Sequence, residues 1–169
     1  IAPFLDDVER RMEAEGGLLG VATGHTEVDS LIQGFEPGDL VVVAGRPAMG
    51  KTLLVEQWCE HIAETSGKPV AFFSLEMPAN QLMRRSAARN AHVPLSALRD
   101  GKLEDHHWRT LSESMIRLRH LPLYIDDTAG LTISDLRSRA RSLHQRQPLS
   151  AVAVDYVQIL QAGDLVSSQ

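Results

Sequence analysis

A short segment combines two glycines, a lysine and a hydroxyl residue at a spacing suited to binding phosphate. It runs Gly45-Arg46-Pro47-Ala48-Met49-Gly50-Lys51-Thr52 and matches the pattern G-x-x-x-x-G-K-[ST] in full. Glycines let backbone N–H groups close around phosphates, and a following helix adds the positive end of its dipole. We expect Lys51 to reach the β and γ phosphates of a nucleoside triphosphate and the Thr52 hydroxyl to bind Mg²⁺. The alternative is a chance glycine-rich turn.

A carboxylate at the end of an apolar run supplies a second candidate magnesium ligand. Residues 151–154 read Ala-Val-Ala-Val and are followed by Asp155, about a hundred residues after the phosphate-binding segment. A strand that ends in such an aspartate is the Walker B arrangement, which holds the magnesium ion, usually through water. Because many strands end in aspartate, the interpretation of Asp155 as a magnesium ligand depends on the phosphate-binding segment 45–52 upstream.

Three further acidic residues follow predicted strands. Glu76 comes after the apolar run 70–75, where a carboxylate can orient and deprotonate the water that attacks the γ-phosphate. From spacing alone, an equally favoured alternative is that Glu76 is an acidic residue near the start of the helix that Pro78 can open. Asp126 and Asp127 end another strand, and they are expected either to support the metal shell or to cap a helix.

The elements that must position these residues alternate along the chain. Apolar runs predict strands at 40–44, 70–75, 123–126 and 151–154, and residues 17–38 form a glycine-rich stretch of turn formers. Helical spacing predicts helices over 3–14 and 51–63, after Pro78, from about residue 103 and from Thr132. The helix from about residue 103 carries Trp108, Leu111, Met115 and Leu118 on its apolar face. The helix from Thr132 begins with a capping box that Thr132 forms with Asp135. The alternation is typical of an α/β domain with a mainly parallel sheet flanked by helices.

Bulk composition narrows the class of protein. A chain of 169 residues with 43% apolar side chains fits one globular domain. The net charge of −5 shows that the chain as a whole is not strongly basic, as a nucleic-acid-binding protein often is. Any DNA contact must therefore come from a local basic patch or from other segments. One predicted helix is rich in arginine, and we expect its arginines to form a solvent-exposed face; the alternative is that they contact nucleic acid or another subunit. These residues are Arg137, Arg139, Arg141 and Arg146. A lone cysteine, Cys59, expected to be buried, excludes a disulfide framework, and short apolar runs exclude a membrane span, so we expect a cytoplasmic protein.

Several stretches together resemble one protein family. They are Gly24-His25-Thr26-Glu27-Val28-Asp29, Gly34-Phe35-Glu36-Pro37-Gly38-Asp39-Leu40, the segment 45–52, Phe73-Ser74-Leu75-Glu76-Met77, Tyr124-Ile125-Asp126-Asp127-Thr128 and Val154-Asp155-Tyr156-Val157-Gln158. Across almost the entire chain they resemble the C-terminal domain of DnaB-type replicative helicases. The resemblance implies a RecA-like P-loop NTPase core that uses ATP with Mg²⁺ and has Glu76 as catalytic base.

The resemblance also implies an assembly. Members of that family form a ring of six, hydrolyse ATP between neighbouring subunits and thread single-stranded DNA through the centre, with primase and a helicase loader as further partners. Residues 1–16 are similar in position to the linker helix that docks on an adjacent subunit, and residues 17–169 correspond to the ATPase domain.

The sequence departs from the family by omission. The family continues after the Walker B segment with a further strand, DNA-binding loops and an arginine finger, and it has an N-terminal primase-interacting domain. The further strand lies between the Walker A and Walker B strands, so these 169 residues are expected to leave a gap in the sheet. A polypeptide that ends at Gln169 is expected to hydrolyse ATP negligibly, and the domain is expected to be incomplete at its C-terminus. A recombinase-type or regulatory RecA-like ATPase, or a non-catalytic nucleotide-binding or assembly module, is the alternative function.

Overall fold

The computed structural model describes residues 18–157, and within that range the chain forms six helices and three strands. The helices are α1 (Thr26–Ile32), α2 (Lys51–Ser66), α3 (Ala79–Asn90), α4 (Leu95–Asp100), α5 (Asp105–His120) and α6 (Ile133–Arg146). The strands are β1 (Val70–Ser74), β2 (Leu123–Asp126) and β3 (Ala151–Asp155). The helix predicted over 3–14 lies outside the described residues.

The three strands form a parallel sheet in the order β2-β1-β3. Val70 at the start of β1 aligns with Leu123 on one side and with Ala151 on the other. Because all three strands run in the same direction, their carboxyl ends meet at one edge of the sheet. The predicted strands at 70–75, 123–126 and 151–154 are therefore confirmed to within one residue at each end.

Helices cover both faces of the central strand. Val70 and Phe72 point to a core formed with Cys59, Ile62 and Leu82 from α2 and α3. Residues on the opposite face of the same strand pack against α6 and the loop before it, namely Ala71 and Phe73 with Leu131, Leu136, Ala140 and Leu143. This two-sided burial explains why all five residues of β1 are buried and why its sequence is a continuous apolar run up to Ser74.

Local signals set the bounds of the long helices. The helix predicted over 51–63 is α2, which ends at Ser66 with Gly67 in the left-handed conformation (φ 62°) that glycine adopts most readily. At the start of α6, the Thr132 side chain accepts a hydrogen bond from the Asp135 N–H, and the Asp135 side chain accepts one in return from the Thr132 N–H. The predicted capping box is thus confirmed.

The prediction of a buried strand at 40–44 is wrong. Residues 40–44 adopt no regular structure, and Leu40 and Val42 are 89% and 78% exposed. The physical reason is the lack of a pairing partner within residues 18–157, because β3 pairs only with β1 there. An apolar run forms a strand only when a neighbouring strand satisfies its backbone groups.

Three other features of the fold differ from the sequence prediction. The stretch at 17–38 contains the seven-residue helix α1, and the six-residue helix α4 has no counterpart in the prediction. On α5, Leu111 and Leu118 are buried as the helical spacing predicts, but Trp108 and Met115 are 59% and 48% exposed. The reason is that α5 packs against α3 and α4 along one narrow stripe.

Within residues 18–157 no helix has both the length and the apolar character needed to cross a membrane.

Candidate nucleotide and magnesium site

The carboxyl ends of the strands bring the predicted site residues to one edge of the sheet. Ser74 at the end of β1 aligns with Asp155 at the end of β3, and the N–H of Leu75 donates to the Asp155 carbonyl at 2.7 Å. Asp126 ends β2 on the other side of β1. Ligands bind at this edge in open α/β sheets, so the topology positions the acidic residues where a nucleotide would bind.

The phosphate-binding segment 45–52 forms an exposed turn that leads directly into α2. Gly50 precedes the helix with a left-handed backbone (φ 86°), and no side chain caps the first turn. Because the first backbone N–H groups of a helix have no intrahelical partner, they remain available to an anion. Lys51 folds over the turn, with its Nζ donating to the Gly45 carbonyl at 2.8 Å.

Thr52 and Asp155 meet although 103 residues separate them in sequence. The Thr52 hydroxyl donates to Oδ2 of Asp155 at 2.6 Å, and Asp155 is only 6% exposed. A hydroxyl and a carboxylate oxygen are hard oxygen ligands of the kind that Mg²⁺ prefers, and Thr52 itself lies in the first turn of α2, whose N–H groups have no intrahelical partner. The residues therefore fit a magnesium ion bound together with a nucleotide.

Glu76 is exposed in the bend between β1 and α3. Among the described residues its carboxylate has no hydrogen-bond or ion-pair partner. It does not cap α3, because the N–H of Ala79, the first residue of the helix, donates instead to Oδ2 of Asp127 at 2.8 Å. Glu76 therefore makes no capping hydrogen bond among the described residues, although it still lies close to the start of α3.

Asp126 and Asp127 both have partners within the protein. Asp126 accepts hydrogen bonds from Arg139 Nη1 at 2.7 Å and from the Thr128 N–H at 3.1 Å. Partial burial opposes ionisation, but these hydrogen bonds hold the pKa of Asp126 below its ordinary value. These contacts favour a structural role for both aspartates over a place in the metal shell.

A buried polar network lies on the helix that carries the phosphate-binding residues, and the sequence prediction did not include it. Glu56, one turn after Thr52, is 1% exposed and lies 2.7 Å from the Ser86 hydroxyl on α3. The same hydroxyl makes a short contact with Glu60, which pairs with Arg89. Burial raises the pKa of Glu56 to about 7, and the nearby Glu60 adds to the rise. The sequence signal that could have indicated the network is a pair of glutamates four residues apart that directly follow the apolar positions Val55 and Cys59 of the predicted helix.

The arginine-rich face of α6 remains largely exposed. Arg139 is engaged by Asp126, whereas Arg137, Arg141 and Arg146 lie on the solvent side of the helix. One arginine is therefore paired with the end of β2, and the exposure of the others is compatible with both predicted alternatives, a solvated face and a nucleic-acid or subunit contact.

Comparison with known proteins identifies related sequences over nearly the whole chain. The family model for the DnaB-like helicase C terminal domain matches residues 20–169. The replicative DNA helicase DnaB of Pasteurella multocida (strain Pm70) is 42% identical over 163 residues, covering 94% of this chain and 35% of that protein. The corresponding protein of Leifsonia xyli subsp. xyli (strain CTCB07) is 36% identical over 165 residues, covering 98% of this chain and 36% of that protein. The chain spans about a third of the length of these relatives.

Solved structures share the fold. One of them, described as an ATPase domain, superposes with a TM-score of 0.88 at 23% identity, covering 99% of this chain and 60% of that one. A second, described as a DnaB-like replicative helicase and its interactions with primase, gives a TM-score of 0.87 at 24% identity, covering 98% of this chain and 40% of that one. The predicted RecA-like α/β core is confirmed by these superpositions.

Proposed function

The chain belongs to the DnaB-like helicase C-terminal domain family, and from this premise we propose that it is the ATP-hydrolysing motor domain of a replicative DNA helicase. The observation that carries the proposal is the contact between Thr52 and Asp155 at the N-terminus of α2. This contact brings together the predicted phosphate-binding segment and the predicted Walker B aspartate from distant parts of the sequence, which supports the proposed nucleotide and magnesium site. The family match favours a helicase over a recombinase-type or regulatory ATPase.

In the proposed reaction each residue acts on a different part of ATP. Backbone N–H groups of the segment 45–52 hold the phosphates, and the Lys51 ammonium turns from the Gly45 carbonyl to the β and γ phosphates. Thr52 and Asp155 would hold Mg²⁺, which would neutralise phosphate charge. Glu76 would accept a proton from the attacking water as the water oxygen bonds to the γ-phosphorus and the bond from that phosphorus to the β–γ bridging oxygen breaks, so that ADP leaves.

We also propose the assembly that the family resemblance implies. In this proposal residues 1–16, which lie outside the described residues, correspond to the linker helix that docks on an adjacent subunit in that family, and residues 17–169 correspond to the ATPase domain of a six-membered ring in the cytoplasm. Single-stranded DNA passes through that ring, and primase and a helicase loader bind the full protein. One structural neighbour is described together with its interactions with primase, which supports the primase proposal.

A further strand is proposed to complete the sheet between residues 40–44 and β3. The apolar side chains of Leu40 and Val42 are exposed, and the outer edge of β3 is unpaired within the described range. A strand from elsewhere in the polypeptide would satisfy both edges and bury these side chains. The sheet formed by residues 18–157 is therefore proposed to be only part of the sheet of the ATPase domain.

The decisive variant is Glu76→Gln in the full-length protein. The amide keeps the volume of the side chain but cannot accept the proton, so ATP with Mg²⁺ should still bind while hydrolysis falls about 10²- to 10⁴-fold. Glu113→Gln on the exposed face of α5 is the matched control and should hydrolyse ATP at the wild-type rate. A fall of less than about tenfold for Glu76→Gln would exclude the general-base role.

A further inference from the structure

Three hydrogen bonds hold the segment between β1 and α3, which carries Glu76. The Ser74 hydroxyl donates to the Met77 carbonyl at 2.7 Å and closes the bend from inside, where Ser74 is 1% exposed. The Leu75 N–H donates to the Asp155 carbonyl and joins the same bend to β3. The third contact is the one from the first backbone N–H of α3 to Asp127.

The contact to Asp127 supplies what the sequence at the start of α3 lacks. Pro78 occupies the cap position, and its side chain has no oxygen that could accept a hydrogen bond from the first turn. The Asp127 carboxylate, 48 residues away and directly after β2, lies 2.8 Å from the Ala79 nitrogen. A negative charge at a helix N-terminus is also favoured by the helix dipole. The N-terminus of α3 is therefore capped by the side chain of Asp127, which is distant in sequence, and not by a residue next to the helix.

We infer that Asp127 is a positioning residue for ATP hydrolysis, fixing the start of α3 and, with Ser74, the bend that holds Glu76 toward the nucleotide site. The inference rests on the proposed function of Glu76. Asp127 itself is bound to backbone and does not need to touch ATP or Mg²⁺. A base displaced by about 1 Å from its water can lose about a hundredfold in rate, so a single capping contact can influence turnover strongly.

The test is a double-mutant cycle in the full-length protein. Asp127→Ala should lower kcat for ATP hydrolysis about 10- to 100-fold, whereas Asp127→Asn, which keeps an accepting oxygen, should restore most of the rate. In the Glu76→Gln background Asp127→Ala should cause no further loss in single-turnover rate, and the Kd for Mg²⁺·ATP there should change less than about twofold. Ser74→Ala removes an independent tie and should lower kcat in the same direction.

Asp135→Ala is the matched control, because Asp135 is also an exposed aspartate at a helix N-terminus but belongs to α6, on the other side of the sheet. A kcat for Asp127→Ala within about twofold of that control would overturn the inference. The same holds for an equal loss in both Glu76 backgrounds, which would indicate general destabilisation. If Glu76→Gln itself loses less than about tenfold, the base assignment fails and this inference falls with it. If Glu76→Gln is slow and Asp127→Ala is not, only the positioning role is refuted.

Discussion

Glu56→Gln is expected to make the protein more stable at pH 8 than the wild type, and much less so at pH 5. The Ser86 hydroxyl has one hydrogen but lies within hydrogen-bond distance of both Glu56 and Glu60. One of the two contacts therefore needs a proton on a carboxylate, and burial favours Glu56 as the residue that keeps it. A glutamine amide at position 56 can donate to Ser86 in place of that proton.

The sign and size of the effect follow from linkage. Burial raises the pKa of Glu56 from 4.5 to about 7, so between these values the folded protein holds a proton that the unfolded chain releases. The stabilising contribution is fully present below pH 4.5 and is lost as the pH rises through about 7. At about 1.4 kcal/mol per pKa unit, the wild type loses about 2 to 3 kcal/mol between pH 5 and pH 8 from this group. Glutamine does not titrate and escapes that loss.

The assay is thermal unfolding of the wild type and variants of the full-length protein at pH 5, 6, 7 and 8. The advantage of Glu56→Gln in Tm should grow by about 5–10 °C from pH 5 to pH 8. Glu113→Gln, an exposed glutamate paired with Arg109 on α5, should show no such trend. A difference in Tm between Glu56→Gln and the wild type that is the same at every pH would refute the shared-proton account of the network.

Three other variants test separate parts of the structure. Lys51→Ala should abolish productive ATP binding or hydrolysis with little change in Tm, because among the described residues the Lys51 ammonium makes one hydrogen bond, to the Gly45 carbonyl; wild-type hydrolysis rates would refute the phosphate-binding role. Gly20→Ala should destabilise the fold by about 1–3 kcal/mol in denaturant unfolding, because its Cβ would lie 2.4 Å from the backbone of Phe35; a stability equal to wild type would contradict the close approach. Arg117→Ala breaks a half-exposed ion pair with Glu64 and should cost less than about 1 kcal/mol, without altering ATP turnover.

The parts of the fold that depend on local patterns were predictable from the sequence. Continuous apolar runs marked β1, β2 and β3, and glycine or a capping box marked the ends of α2 and α6. The segment 40–44 has the same apolar pattern but forms no strand, because strand formation depends on a neighbour that sequence periodicity does not reveal. Helix α1 was missed because glycines on either side of Thr26–Ile32 obscured its short helical pattern.

Site residues were predictable where a motif fixes them in sequence, and less so where they act through space. The segment 45–52 and Asp155 follow from patterns, and the structure brings Thr52 to Asp155. The contact of Asp127 with Ala79 and that of Glu56 with Ser86 join residues 48 and 30 positions apart, and nothing in local spacing indicates either pairing. The chemical roles of Lys51, Thr52, Glu76 and Asp155 stay predictions.

The most direct test of the central claim is ATP hydrolysis by the full-length protein, measured with and without single-stranded DNA alongside unwinding of a forked duplex. We expect hydrolysis that single-stranded DNA stimulates and ATP-dependent unwinding, with both activities lost in Glu76→Gln while Mg²⁺·ATP still binds. Hydrolysis without unwinding would contradict the helicase assignment. Mg²⁺·ATP binding without any hydrolysis in the wild type would contradict the motor function itself.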